Sequence, residues 1–143
     1  MGSVPSLKHK VPMYVSGSGC QLMLEALSSF DMDITIVGDK AGSASIIKLC
    51  RSIYMKGIAA LSIELENVCE HYGVKDEVYA SLAKSMDNDA FMIYTPRLIK
   101  GTIKHCSRRL NEVKECIELI EATEIKGFMT KATAKLYEDI LKQ

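Results

Sequence analysis

SASIIKLCRSIYMKGIAALSIELENVCEH, residues 43 to 71, is the stretch whose reading decides the fold. Its apolar residues include Ile46, Ile47, Leu49, Ile53, Met55, Ile58, Leu61, Ile63, Leu65 and Val68. They fit one continuous helix of roughly 29 residues, about 43 Å long at the helical rise. Gly73 suits its C-terminal cap. The apolar positions spread over much more than one face, so the helix is expected to be buried on most sides or shared with a second subunit. Polar residues also fall into line. At about 100° per residue, Ser45, Lys48, Ser52 and Lys56 share one side, with Arg51 beside them. Three cations on one side of an apolar rod admit two readings. One is a solvated stripe of snorkelling side chains. The other is a pocket for an anionic substrate, in which crowding and burial depress a lysine pKa until it exchanges a proton with a substrate hydroxyl.

Outward from this helix, the chain divides unequally. Residues 40 to 143 read as all-α. A second helix is expected over 76–86, ending before Asp87-Asn88-Asp89. A third starts at Thr95-Pro96, a hydroxyl cap followed by proline in the first turn, and runs to about Ala122, with Gly101 as the weak point. The last occupies about 129–141, after Gly127. Residues 1 to 39 differ. Val11–Val15 and Asp33–Val37 read as strands, and Cys20–Phe30 as a short helix between them. The expected fold is therefore mainly α, with a short N-terminal β-α-β unit.

Composition narrows the function. Eighteen basic residues balance eighteen acidic ones, so no bulk field favours nucleic acid or an anionic membrane, and neither is expected as a partner. No apolar run is long enough to span a bilayer, and Met1–Ser6 lacks the apolar core of a signal peptide. The five cysteines, at 20, 50, 69, 106 and 116, are odd in number and include no pair at metal-knuckle spacing. They read as reduced, mostly buried thiols of a cytoplasmic protein. His9, His71 and His105 are scattered, and no metal is expected.

The segment Gly38-Asp39-Lys40-Ala41-Gly42-Ser43-Ala44-Ser45-Ile46-Ile47-Lys48 resembles the interdomain signature of the β-hydroxyacid dehydrogenases, the superfamily of the 6-phosphogluconate and 3-hydroxyisobutyrate dehydrogenases. Val11–Gly17, Lys56–Leu61 and His105-Cys106-Ser107-Arg108-Arg109-Leu110-Asn111-Glu112-Val113 extend the likeness to a 6-phosphogluconate-dehydrogenase-like C-terminal domain, over about residues 11–140. The resemblance implies that residues 1–39 are the closing edge of a Rossmann domain. Residues 40–143 would then be the substrate and dimerisation domain of an NAD(P)-dependent oxidoreductase. It places Lys48 as the proton-transfer residue and Gly42 where the backbone approaches the cofactor. Ser45, Ser52, Lys56, Arg108 and Arg109 become substrate-binding candidates, and His105 a weaker one. The family's usual asparagine is Ser52 here, a departure at the substrate contact.

A homodimer through the 43–71 helix is expected, with a small hydroxy acid or related anion as substrate. NAD or NADP would serve the complete enzyme, with none held by this chain alone. Gly17-Ser18-Gly19 followed by Asp39 imitates a dinucleotide fingerprint. Leu22 stands where its third glycine belongs, and the true fingerprint is expected upstream of these residues. Against the enzyme reading stands a stand-alone helical ligand-binding protein, or a non-redox acid–base enzyme, derived from the same domain. The plainest alternative is a helical scaffold.

Overall fold

The computed structural model describes residues 10–143; the reading of Met1–Ser6, and His9, lie outside them. Two strands, β1 (Met13–Val15) and β2 (Ile34–Ile36), pair in parallel with Met13 opposite Ile34 and Val15 opposite Ile36. Helix α1 (Cys20–Leu27) makes the crossover and ends in a 3₁₀ turn over Ser28–Phe30. A parallel pair needs such a crossover, because no tight turn can return the chain to the same end. This is the expected β-α-β unit, with each strand two residues shorter than the expected run.

Five helices follow: α2 (Ser43–Tyr72), α3 (Lys75–Met86), α4 (Phe91–Lys104), α5 (Cys106–Glu121) and α6 (Phe128–Leu141). No strand occurs after Ile36 among the described residues, so the mainly helical reading holds. Gly73 closes α2 at φ +67°. Its N–H donates to the Glu70 carbonyl and that of Val74 to the Cys69 carbonyl, the paired bonds of a Schellman end, where a left-handed residue is required and glycine takes it without strain. The compositional change at residue 39 falls between β2 and α2. Division by compactness falls instead inside α2, giving one unit that ends at Lys56 and another over Gly57–Gln143.

Two boundaries differ from expectation. Thr95-Pro96 does not open a helix: α4 starts at Phe91, after Ala90 in extended conformation. The Ala90 carbonyl accepts from the N–H groups of Ile93 and Tyr94. Pro96 thus lies in the second turn, where its missing N–H removes one ladder bond that the helix tolerates. The chain also breaks at His105, with φ −116° and ψ 28°, and not at Gly101. His105 ends one helix by donating its N–H to the Gly101 carbonyl, and starts the next by accepting from the Arg109 N–H.

In the second unit α5 packs on α6, and its core holds Cys69, Cys106, Leu110, Ile120 and Ala134. Gly127 brings the start of α6 against Ile120 so closely that an added Cβ would lie 3.2 Å from that side chain. The Tyr72 hydroxyl donates to the Leu119 carbonyl at 2.8 Å, tying α2 to the end of α5.

Burial of α2 on most sides is not found within the described chain. Only Glu64 and Cys69 of this helix are buried, while Ile53 is 76% exposed, Ile63 63% and Leu49 62%. The physical reason in the first unit is its size: two three-residue strands and an eight-residue helix offer too little surface to surround a helix. All five cysteines are free; Cys20, Cys69 and Cys106 are buried, and Cys50 and Cys116 exposed. No helix among the described residues is long and apolar enough to cross a membrane.

Candidate functional site

The loops that follow β1 and β2 together hold the start of α2. The Gly17 N–H donates to the Gly38 carbonyl at 3.1 Å, and that of Val37 to the Val15 carbonyl at 2.9 Å. Gly42, the residue before α2, has φ +93°, a conformation that glycine adopts freely and other residues resist. Its carbonyl accepts from the Ile46 N–H. Glycine brings no side chain to the unsatisfied N–H groups of the first turn. Ser16 supplies one, its Oγ accepting from the Ala44 N–H at 3.0 Å. The long helix is therefore capped from a loop twenty-eight residues earlier.

Beside that cap lies a cleft of about 520 Å³, lined by Val11–Val15 of the β1 strand region and by Ala44, Ser45, Ile47, Lys48 and Arg51 of α2. Such a volume suits a small molecule. Lys48 and Arg51, one turn apart, bring two cations to the same cleft, and Ser45 adds a hydroxyl one turn before Lys48. Among the lining residues no side chain is acidic. The arrangement can hold an anion, with arginine offering paired N–H donors to a carboxylate or phosphate and lysine an ammonium that can give a proton. Lys48 is exposed, which agrees with the solvated-stripe reading and not with the burial that the pocket reading invoked.

The remaining candidates sit elsewhere. Ser52 and Lys56 occupy the next two turns of α2 and do not line the cleft; Ser52 is half-buried and Lys56 exposed. Arg108 pairs with Glu112 four residues on, at the surface of α5. Arg109 lies back over the end of α4, donating from Nη1 to Thr102 Oγ1 at 3.0 Å, with the guanidinium close to Gly101. Its Nε is buried without a partner. His105 is exposed at the α4–α5 junction. Among the described residues no cluster could hold a metal ion.

The described residues do not build a dinucleotide crevice. Such a crevice forms where strand order reverses in a larger sheet, and the sheet here has two strands. Gly17-Ser18-Gly19 leads into α1 as the fingerprint would, yet Leu22 projects 72% exposed where a glycine would let a helix pack closely.

Sequence reasoning missed Ser16 as a functional element; it read only as part of a Ser-Gly-Ser-Gly turn. The local pattern carries no mark of a cap given to a distant helix. Arg51 was legible from the helical wheel as a neighbour of the cationic line, but the contribution of β1 to the cleft was not.

Comparison with known proteins gives a consistent frame. Residues 70–140 match a family described as a domain of unknown function, DUF1932. An uncharacterised 28.5 kDa protein encoded in the 7S RNA 5′ region of Methanothermus fervidus is 30% identical over 134 residues, covering 94% of this chain and 53% of that protein. The conserved protein MTH1747, of unknown function and structurally similar to 3-hydroxyacid dehydrogenases, superposes with a TM-score of 0.54 at 25% identity, covering 99% of this chain and 54% of its own. A conserved hypothetical protein from Sinorhizobium meliloti 1021 gives a TM-score of 0.49 at 29% identity, with coverage of 96% and 46%. The chain thus spans about half the length of the proteins it matches. Its mainly helical fold resembles the hydroxyacid dehydrogenase-like fold.

Proposed function

We propose that this chain is the substrate-binding and dimer-forming part of an NAD(P)-dependent dehydrogenase or reductase, acting on a small hydroxy acid or related anion. The observation that carries the reading is the cleft in which Ser45, Lys48 and Arg51 meet at the capped start of α2. Lys48 stands at the position that the resemblance gives to proton transfer. Arg51 holds the acid group and Ser45 orients the hydroxyl; the Lys48 ammonium bonds the bound acid and gives the hydroxyl its proton in the reductive direction, and the neutral amine takes that proton in the oxidative one. Likeness to MTH1747, and through it to 3-hydroxyacid dehydrogenases, supports the same class. NAD or NADP would supply the redox chemistry, held by protein outside these residues, since those described do not build its crevice. Arg108 is a weaker substrate candidate than Arg109, because Glu112 already neutralises it.

A second reading has one observation in its favour. The cleft is made from this chain's own residues, so a stand-alone acid binder, or a non-redox acid–base enzyme using Lys48, needs nothing more. The serine at 52 in place of asparagine agrees with it.

Titration separates these readings. A short 3-hydroxy acid is expected to bind saturably, and Lys48→Ala to weaken it about tenfold or more, the loss of a charge-assisted bond. NAD(P)H fluorescence is expected to show no saturable binding to this chain. Saturable NAD(P)H binding would return Gly17, Gly19 and Asp39 to the centre, and an acid bound equally well by Lys48→Ala would remove Lys48 from the site. Loss of turnover on Lys48→Ala in the full-length protein, with NAD(P)H production as readout, favours the dehydrogenase over the binder.

A further inference from the structure

The balance of eighteen basic and eighteen acidic residues hides a separation of charge within the second unit. Residues 97 to 109 hold five cations, Arg97, Lys100, Lys104, Arg108 and Arg109, and no acid. Residues 112 to 124 hold five acids, Glu112, Glu115, Glu118, Glu121 and Glu124, against the single cation Lys114. Helix α4 is thus basic, and most of α5 with the turn after it is acidic. Some of these charges are met within the chain: Arg97 pairs with Asp89, Arg108 with Glu112, and Glu121 with Lys131. Lys100, Lys104, Glu115 and Glu118 are exposed, and none of them reaches an opposite charge among the described residues.

Position around each helix sharpens the contrast. Lys100 lies in the middle of the exposed face of α4, among Met92, Ile93, Ile99 and Ile103, each more than half exposed. Glu115 holds the same place on α5, with the exposed Leu119 and Cys116 beside it. A surface that binds its own copy about a twofold axis must be complementary to itself. A basic stretch followed by an acidic one meets that requirement when two copies run antiparallel. With Lys100 opposite Glu115 of the second copy, Arg97 falls opposite its Glu118, and the axis repeats both pairs. We infer that α4 and α5 together form a docking surface for a second copy of this chain, the basic helix of each lying on the acidic helix of the other. The isoleucines of α4 are covered in that contact. It depends neither on the ligand of the cleft nor on the pairing expected through residues 43–71, which is apolar and which salt does not screen.

Exposed ion pairs contribute little singly, and salt screens them. The contact therefore fills only at high protein concentration and low ionic strength. Sedimentation equilibrium of the intact chain tests it, from about 5 to about 500 µM protein, in roughly 20 mM and roughly 500 mM NaCl, which span long and short screening lengths. At low salt the mass is expected roughly to double from its value at the lowest concentration, whatever species that value represents. At high salt it is expected to stay there. Lys100→Glu/Lys104→Glu and Glu115→Lys/Glu118→Lys are each expected to lose the rise, since like charges then face one another. An equimolar mixture of the two is expected to recover it, because every reversed helix then meets its opposite, and recovery shows that both variants fold. A wild-type chain with no rise at low salt overturns the inference, and so does a rise indifferent to salt. A rise kept by either variant alone, or a mixture no better than its components, overturns it equally.

Discussion

Glu64 is the one charged residue buried among the described residues, at 7% exposure, and its partners explain why it is tolerated. Its Oε2 accepts from the Met129 N–H at 2.7 Å, and its Oε1 from the Thr130 N–H at 2.9 Å and the Thr130 hydroxyl at 2.5 Å. Burial pushes its pKa up, but the Thr130 hydroxyl and the Met129 and Thr130 amides together outweigh it and hold the carboxyl below its ordinary 4.5. A carboxyl whose pKa is lower folded than unfolded stabilises the protein above its unfolded value, and that contribution fades as pH falls through the folded value. Glu64→Gln keeps the shape and removes the charge. It is expected to cost roughly 1–2 kcal/mol at neutral pH, the difference between charged and neutral acceptors. The measurement is urea unfolding of both proteins at neutral pH and at about pH 3.5, where the wild type has begun to lose its advantage. Midpoints that differ equally at both pH values would show that the charge is not what the site uses.

The same device recurs at the level of whole elements. Helices α2 and α6 each follow a glycine, Gly42 and Gly127, which has no side chain to cap with. Each is capped instead by a residue distant in sequence, α2 by Ser16 and α6 by Glu64. Helices capped from afar are oriented by their cap as well as stabilised by it. Ser16→Ala is therefore expected to cost about 1 kcal/mol and to weaken acid binding in the cleft, since Ser45 and Lys48 are in the two turns that the cap fixes. Ser16→Thr, which keeps the hydroxyl, is expected to restore both. Stability lost without any change in acid affinity would reduce Ser16 to a structural cap. These caps also show what sequence reading can and cannot reach. The periodicity of residues 43–71 and the left-handed need at Gly73 are local, and α2 was legible almost to the residue. Ser16 and Glu64 act across 28 and 65 residues, and nothing in their neighbourhoods marks them. Thr95-Pro96 misled for a related reason: a strong start signal lost to a start five residues earlier, because one proline in the second turn removes only a single bond. Of the site, Ser45, Lys48 and Arg51 could be read off the helical wheel, whereas the β1 side of the cleft depends on a chain crossing that no local pattern announces.

For the molecule as a whole, the outstanding physical question is what covers the apolar residues of α2. The apolar residues of this helix spread over much more than one face, yet Ile46, Leu49, Ile53 and Ile63 are each at least 60% exposed. Few large apolar side chains are buried in either unit, and burial is the main term that offsets the conformational entropy of folding. Single exposed apolar residues are ordinary, but a row of them along one helix marks an interaction surface. We propose that a second copy of the chain supplies the cover, helix α2 against helix α2 about a twofold axis, so that the same residues meet on both sides. Light scattering at micromolar concentration is then expected to give twice the chain mass of 15.8 kDa. The melting temperature should rise with protein concentration, as mass action requires for coupled folding and association. Ile53→Glu places a carboxylate in the middle of the row and is expected to shift the mass to that of one chain and to abolish the concentration dependence. Leu22→Glu, an equally exposed apolar site on α1 (72%) outside the row, serves as the control and should leave the dimer intact. A wild-type chain that scatters as a monomer, with a melting temperature unchanged over about a hundredfold dilution, would defeat self-association. The row would then be left for the remaining half of the longer proteins that this chain resembles, and adding that half in trans should protect Ile53 where a second copy did not.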